Sequence, residues 1–95
     1  MYKSEELIYS KTFDVSKESG ILNNKGYIRV VKRTKVKPKN LFRRKEKTII
    51  YFDIEYTTPR IFKIVDEVIW EAENYVLNYK LDNSYTNSIT RLFNK

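Results

Sequence analysis

In two segments of the chain, Tyr27–Val36 and Thr48–Thr57, most apolar residues lie at even positions and most charged residues at odd positions. Successive side chains of a β-strand point to opposite faces of the sheet, so a period of two is typical of a strand with one buried face. Both segments are rich in Val, Ile, Thr, Tyr and Phe, the residues that favour strands. The pattern therefore predicts two neighbouring β-strands and strongly limits how they can pair.

Matching the apolar positions limits the register of this pair, because any even sum of paired residue numbers keeps the two faces matched. If the two strands run antiparallel and the numbers of paired residues sum to 84, Val30 lies opposite Ile54 on one face. In the same register Arg29 lies opposite Glu55 on the other face. A shift of one residue would mix the two faces. The sequence thus predicts a sheet with an apolar core face and an opposite face that is basic and aromatic.

The N-terminal segment Glu6–Val15 also alternates, with Leu7, Tyr9 and Phe13 on the same side. We interpret it as a third strand because β-forming residues dominate it. The alternative is a short helix capped by Ser4. The residues from 16 to 26 contain both glycines of the chain and two consecutive asparagines, which indicates a loop.

A long helix is predicted after the third strand. Thr58 fits the N-cap position and Pro59 the first helical position, and the helical period extends from Arg60 to Leu81. Ten apolar residues of this segment fall within an arc of ~160°, which we expect to cover the apolar face of the sheet. They are Ile61, Phe62, Ile64, Val65, Val68, Ile69, Ala72, Tyr75, Val76 and Tyr79.

A second apolar strip runs along the back of the same helix and requires another cover. Near the C-terminus Tyr85, Ile89, Leu92 and Phe93 recur at helical spacing, which predicts a short helix or an extension. This tail either folds over the strip, or both meet a second copy of the chain. We expect a homodimer whose interface contains Trp70, Leu77, Leu81, Leu92 and Phe93.

Together these elements predict an α+β fold. It has a three-stranded antiparallel sheet, one long helix packed on one face and a short C-terminal helix or extension. Residues 1–95 form a single domain, as expected for this length. The connection between the second and third strands, residues 37–47, is too long for a tight turn. It is therefore expected to project as a basic arm.

The positive charge is concentrated in one quarter of the chain. Residues 25–48 contain eleven Lys or Arg and one acid, Glu46, for a net charge of +10. The segments before and after carry net charges of −1 and −2, and the whole chain carries +7. Such a concentration favours an anionic partner, and a nucleic acid in particular, because Lys and Arg neutralise phosphates and release counterions.

The interpretation is a non-catalytic nucleic-acid-binding protein, with DNA favoured over RNA and single-stranded DNA slightly over duplex. Lysine and arginine side chains of the sheet and arm would contact phosphates. Aromatic rings among them would stack on unpaired nucleobases. The alternative is a small protein-interaction or inhibitor module, for example a viral one. The predicted binding residues are Tyr27, Arg29, Arg33, Lys35, Lys37, Lys39, Phe42, Arg43, Arg44, Lys45, Lys47 and Tyr51.

Other functional classes find little support. The chain has no Cys and no His, so it offers no disulfide, no thiolate ligand and no histidine base. Asp53 and Glu55 lie on one face of a predicted strand, as in metal-dependent nucleases, but Arg29 and Arg33 opposite offer a structural explanation for them. We expect no catalysis, cofactor, bound metal or small-molecule substrate. No apolar segment is long enough to span a membrane, and a cytoplasmic location is expected.

Overall fold

The structure is a computed structural model, which describes residues 3–42, 44–57 and 65–95. The strands form one sheet in the order β1-β2-β3-β4, with β1, β2 and β3 antiparallel and β4 parallel to β3. The α+β class is therefore confirmed, although the sheet is mixed and has a fourth strand. The elements are β1 (Ser4–Asp14), α1 (Ser16–Ser19), β2 (Lys25–Lys37), β3 (Lys47–Tyr56), α2 (Val65–Asn83) and β4 (Ile89–Asn94).

The pairing of β2 with β3 has the predicted register. Val30 lies opposite Ile54 and Arg29 lies opposite Glu55, and the pairing continues from Ile28 to Lys37 without a bulge. The observed pairs have the even sum that was assumed. An even sum keeps the apolar side chains of the two strands together on one face.

The core lies between this apolar face and helix α2. Burial of aliphatic and aromatic side chains is the main stabilising contribution in a domain of this size. The helical face predicted to cover the sheet does so wherever the structure describes it. The buried contacts join Ile28, Val30, Phe52 and Ile54 of the sheet to Val68, Ala72 and Val76 of the helix.

Aromatic side chains extend the core toward the end of α2. The ring of Phe52 lies 5.6 Å from that of Tyr79 and 5.7 Å from that of Tyr85, and the two tyrosine rings stack. Tyr85 also accepts a hydrogen bond from Lys32, with 2.6 Å between Nζ and Oη. The residues after α2 are thereby attached to the sheet, which positions β4.

Strand β1 is confirmed, and the alternative of a capped N-terminal helix is wrong. The predicted alternation fails at one place, because a β-bulge interrupts the pairing with β2 between Leu7 and Tyr9. A bulge inserts an extra residue and changes the face to which the following side chains point. Tyr9 and Phe13 pack on the core, as predicted, whereas Leu7 lies opposite Val31 on the other face and is largely exposed.

The C-terminal segment forms strand β4, so of the two predicted alternatives, a short helix or an extension, the helix is wrong. Helix α2 provides the crossover connection that a parallel strand requires. Arg91 of β4 is the register partner of Asp53 in β3, and an ion pair joins their side chains. The spacing of Tyr85, Ile89 and Leu92 resembled a helix, but the β-forming residues of this segment prevail once an edge of the sheet is available.

Two other predicted segments are described only partly. The helix start at Thr58 and Pro59 lies outside the described residues, as do Arg60–Ile64 and the side chain of Val65. The predicted loop after β1 contains a single helical turn, α1, which ends at Gly20 with φ of 72°. Neither helix within the described ranges has the length and apolarity needed to cross a membrane.

Gly26 provides a test of the packing between β1 and β2. A Cβ atom on Gly26 would lie 2.6 Å from two ring carbons of Phe13 and 3.2 Å from the carbonyl oxygen of Thr57. We predict that Gly26→Ala lowers the free energy of unfolding by about 1–3 kcal/mol through overpacking, measured by urea denaturation. The loss of stability caused by Gly26→Ala should be smaller when Phe13 is replaced by Leu. An equal loss in the two backgrounds would show that the Phe13 ring does not limit the space at position 26.

Candidate nucleic-acid interface

Strands β2 and β3 extend beyond the rest of the sheet. The pairing of β1 begins where Ser4 meets Thr34, and that of β4 begins where Ile89 meets Tyr51. The pair formed by β2 and β3 continues to Lys37 and Lys47. Residues 35–49, which we call the distal hairpin, therefore form a two-stranded ribbon with a loop at residues 38–46. The strands reach further into the predicted arm than expected, because position 37 pairs with position 47.

One face of the distal hairpin carries unpaired positive charge. Lys37 lies directly opposite Lys47, and Lys35 lies two positions further along β2 on the same face. Like charges directly opposite each other destabilise a sheet. No carboxylate of the described residues lies within ion-pair distance of these lysines. The other face at these positions is uncharged and presents Val36, Thr48 and Ile50.

The loop of the distal hairpin combines bases with exposed apolar side chains. Leu41 is 97% exposed and Phe42 is 98% exposed, so neither side chain packs on the core. The backbone N–H of Phe42 donates a hydrogen bond to Oδ1 of Asn40 over 2.9 Å. The predicted binding residues Lys39, Arg44 and Lys45 are exposed in this loop, and Arg43 lies outside the described residues.

The polar face of the main sheet is organised differently, around two buried carboxylates. Asp53 is 1% exposed and Glu55 is 2% exposed. Asp53 accepts two hydrogen bonds from Arg91, from Nε over 2.6 Å and from Nη2 over 2.7 Å. It also accepts one from Nη1 of Arg33 over 2.7 Å. A buried charge is tolerated when it is paired and hydrogen-bonded in this way.

Glu55 has its own set of cationic partners. It accepts a hydrogen bond from Nε of Arg29 over 2.7 Å, and the side chains of Arg33 and Lys95 lie 3.3 Å away. Burial alone would raise the pKa of Glu55, but the hydrogen bonds from Arg29 and Lys95 and the charge of Arg33 hold it below its ordinary value. Arg33 also pairs with Glu5 of β1, so this ion-pair network links all four strands.

The aromatic rings of the sheet face are already in contact with cations. The guanidinium of Arg91 lies 3.9 Å from the ring centroid of Tyr51 and 5.3 Å from that of Phe93. The guanidinium of Arg29 lies 5.6 Å from the ring of Tyr27. Cation–π contacts of this kind hold the rings and the guanidinium groups together. Tyr27 and Tyr51, predicted to stack on bases, thus have intramolecular partners, whereas Phe42 has an exposed ring.

The structure divides the predicted binding residues into two groups. Arg29 and Arg33 belong to the ion-pair network of the main sheet. Tyr27 and Tyr51 contact arginines of that network, whereas the remaining described residues lie on the distal hairpin. Sequence reasoning missed Arg91 and Lys95, because β4 was not recognised. It also missed Leu41, although two adjacent apolar residues, Leu41 and Phe42, among Lys and Arg residues were a usable signal. The hairpin group comprises Lys35, Lys37, Lys39, Phe42, Arg44, Lys45 and Lys47.

The predicted dimer interface is also divided. Trp70, Leu77 and Leu81 form an exposed strip along α2, and β4 does not cover them. Leu92 lies across from Leu77, and both line a groove of about 380 Å³ between α2 and β4. Phe93 points to the opposite face of the sheet, because successive residues of a strand alternate. The strip therefore consists of Trp70, Leu77, Leu81 and Leu92, without Phe93.

Comparison of the chain with protein-family models, curated proteins and solved structures found no match. The described residues contain no cluster of three or more acidic side chains arranged to hold a metal ion.

The ion-pair network predicts a large effect of a small substitution. Asp53→Asn keeps the shape of the side chain but leaves Arg33 and Arg91 without the buried negative charge. We predict a loss of about 3 kcal/mol in the free energy of unfolding, measured by urea denaturation. Glu46→Gln also removes one carboxylate charge, but from an exposed side chain. It should change stability by less than ~0.5 kcal/mol. Similar effects of the two substitutions would show that Asp53 is not a stabilising centre.

Proposed function

We propose that this protein binds nucleic acid without catalysis and that the distal hairpin is its binding element. The observation that carries the proposal is the lysine face of Lys35, Lys37 and Lys47. A chain gains nothing in stability from placing two lysines opposite each other with no carboxylate within ion-pair distance. A polyanion would neutralise the repulsion and release counterions, which makes the arrangement favourable in the complex.

The division of the basic residues supports this assignment. Arg29 and Arg33 have buried carboxylate partners. Releasing either arginine to a phosphate would remove one of the cationic partners that Asp53 and Glu55 have in the folded protein, at an energetic cost. The lysines of the distal hairpin have no such constraint. We therefore assign Arg29 and Arg33 to fold stability and the phosphate contacts to the hairpin, with Lys39, Arg44 and Lys45 of the loop in support.

The same division favours binding over catalysis. Asp53 and Glu55, the two acids that suggested a nuclease, are buried and accept hydrogen bonds from Arg29, Arg33 and Arg91. A hydrolytic metal site requires carboxylate oxygens that are open to a metal ion and its water. We propose a structural role for both carboxylates.

The proposal predicts the salt dependence of binding. Replacing the cross-strand pair with Lys37→Gln and Lys47→Gln should weaken DNA binding by about 10–100-fold at low salt. It should also make the slope of log affinity against log salt shallower by about 2, because each phosphate contact contributes roughly 1. Fluorescence anisotropy of a labelled oligonucleotide, titrated at ~50 and ~300 mM salt, measures both quantities.

A matched control removes the same charge from another part of the surface. Lys17→Gln with Lys25→Gln changes two exposed lysines at the end of the sheet far from the hairpin loop. This variant should retain nearly the affinity and slope of the unmodified protein. Equal losses in the two variants would mean that net charge drives binding and would contradict the hairpin assignment. Absence of binding by the unmodified protein would refute the proposed function.

A second candidate function is docking on a protein, and the strip of Trp70, Leu77, Leu81 and Leu92 favours it. Contiguous exposed apolar residues on a small domain often mark an interface. We propose a second copy of the chain as the occupant, because the C-terminal segment that could have covered the strip pairs with β3 instead. Symmetric homodimers are the commonest oligomers.

The dimer is testable by size-exclusion chromatography with light scattering. The unmodified protein should have twice the monomer mass of 11.5 kDa, and Leu77→Glu should have the monomer mass, since a charge would enter the apolar interface. Leu22→Glu, at an exposed residue of a distant turn, should leave the dimer intact. A monomer mass for the unmodified protein would exclude the homodimer and leave a different protein as the partner of the strip.

A further inference from the structure

The two most exposed large apolar residues of the distal hairpin are adjacent. Leu41 and Phe42 lie in the loop that joins β2 to β3, and their exposed fractions of 97% and 98% mean that no described residue covers them. Lys39, Arg44 and Lys45 surround them in sequence and are also exposed. A surface with this chemistry matches a ligand that presents negative charge and an apolar interior side by side. Stacked base pairs behind a phosphate backbone have this composition, and so does an anionic lipid surface.

The position of the lysine face separates these two ligands. Lys35, Lys37 and Lys47 lie behind the loop, on one side of the ribbon, while Val36 and Thr48 occupy the other side. A flat lipid surface that meets the tip of the loop would contact the Lys and Arg side chains of the loop. It would not contact the lysines that lie behind the loop on one side of the ribbon. A nucleic acid lying along the ribbon would contact the row and the loop together. The geometry therefore favours nucleic acid.

The form of the nucleic acid follows from the aromatic residues. Single-strand binders stack successive bases on several open rings. Here Tyr51 and Tyr27 lie against guanidinium groups, and of the three rings predicted to stack on bases only Phe42, in the hairpin loop, is fully exposed. Its neighbour Leu41 has no π-face for stacking. An aliphatic and an aromatic residue side by side are instead typical of wedges that enter between base pairs of a duplex.

The wedge indicates which groove the distal hairpin enters. Proteins that insert apolar side chains at a base step do so from the minor groove and kink the duplex toward the major groove, and β-ribbons are known to bind in either groove. Resting on the proposed function, we infer that the ligand is duplex DNA. The distal hairpin lies in the minor groove with its lysine face toward the phosphates, and Leu41 and Phe42 insert at a base step and kink the duplex.

The inference is tested by measuring binding and bending on one DNA. A short duplex labelled at both ends reports binding by anisotropy and bending by energy transfer between the labels. Saturation with the unmodified protein should raise the energy transfer by an amount that corresponds to a kink of about 20–90°. The Leu41→Ala, Phe42→Ala double variant should still bind, with the same salt slope and about tenfold lower affinity. At saturation its energy transfer should equal that of free DNA.

Leu22→Ala is the matched control, because Leu22 is also highly exposed but lies in the turn before β2. It should bind and bend DNA as the unmodified protein does. Circular dichroism establishes that each variant is folded, as expected for substitutions at exposed positions. Loss of bending in the double variant but not in Leu22→Ala would support the wedge.

Other outcomes overturn the inference in distinguishable ways. Binding without bending by the unmodified protein, or binding to single strands alone, would refute the duplex wedge and leave the proposed function standing. Absence of binding to either DNA would refute both. Vesicles containing phosphatidylserine provide the remaining arm. If the double variant lost binding to these vesicles but bent DNA normally, the exposed pair would be a lipid anchor and the wedge would be refuted.

Discussion

Burial of Asp53 and Glu55 in the middle of β3 is the constraint on which the rest of the structure depends. Two carboxylates that are almost inaccessible to water require cationic partners. These partners come from β2 and β4, and Arg33 extends the network to Glu5 of β1. The network replaces a second apolar core on the face that helix α2 leaves uncovered. It also selects the register, because a shift would separate Arg29 from Glu55.

The same network explains how the basic residues are divided between folding and function. Arginines are suited to buried ion pairs because the guanidinium donates several hydrogen bonds in a fixed plane. In this chain Arg29, Arg33 and Arg91 serve the sheet, whereas the row beyond it consists of lysines, which are compact, strongly hydrated charges. A rigid, internally neutralised sheet with a charged ribbon projecting from it separates stability from binding. On our proposal, the ribbon can approach a polyanion without disturbing the core.

Much of the fold was predictable because it depends on local periodicity. The alternation in β2 and β3 predicted which of their faces match, and the observed register agrees with the one assumed. The helical period predicted the face of α2 that covers Val30 and Ile54. The predictions failed where contacts between distant parts of the chain determine the structure. The bulge at Leu7 depends on how β1 fits beside β2, and β4 forms because Arg91 and Tyr85 find partners that are distant in the sequence. The candidate site was predicted as one basic surface. Its division into paired and unpaired residues required knowledge of which Lys and Arg side chains have carboxylates beside them.

The sequence by itself determined the α+β class, the pairing of β2 with β3, the apolar face of α2 and the concentration of charge in residues 25–48. Each of these follows from residue type and spacing along the chain. Only the tertiary structure decided that Arg29 and Arg33 are neutralised, that Lys35, Lys37 and Lys47 are not, and that Leu41 and Phe42 are exposed. Whether a charge is paired or a side chain is covered depends on residues brought together from distant parts of the chain, which spacing does not encode.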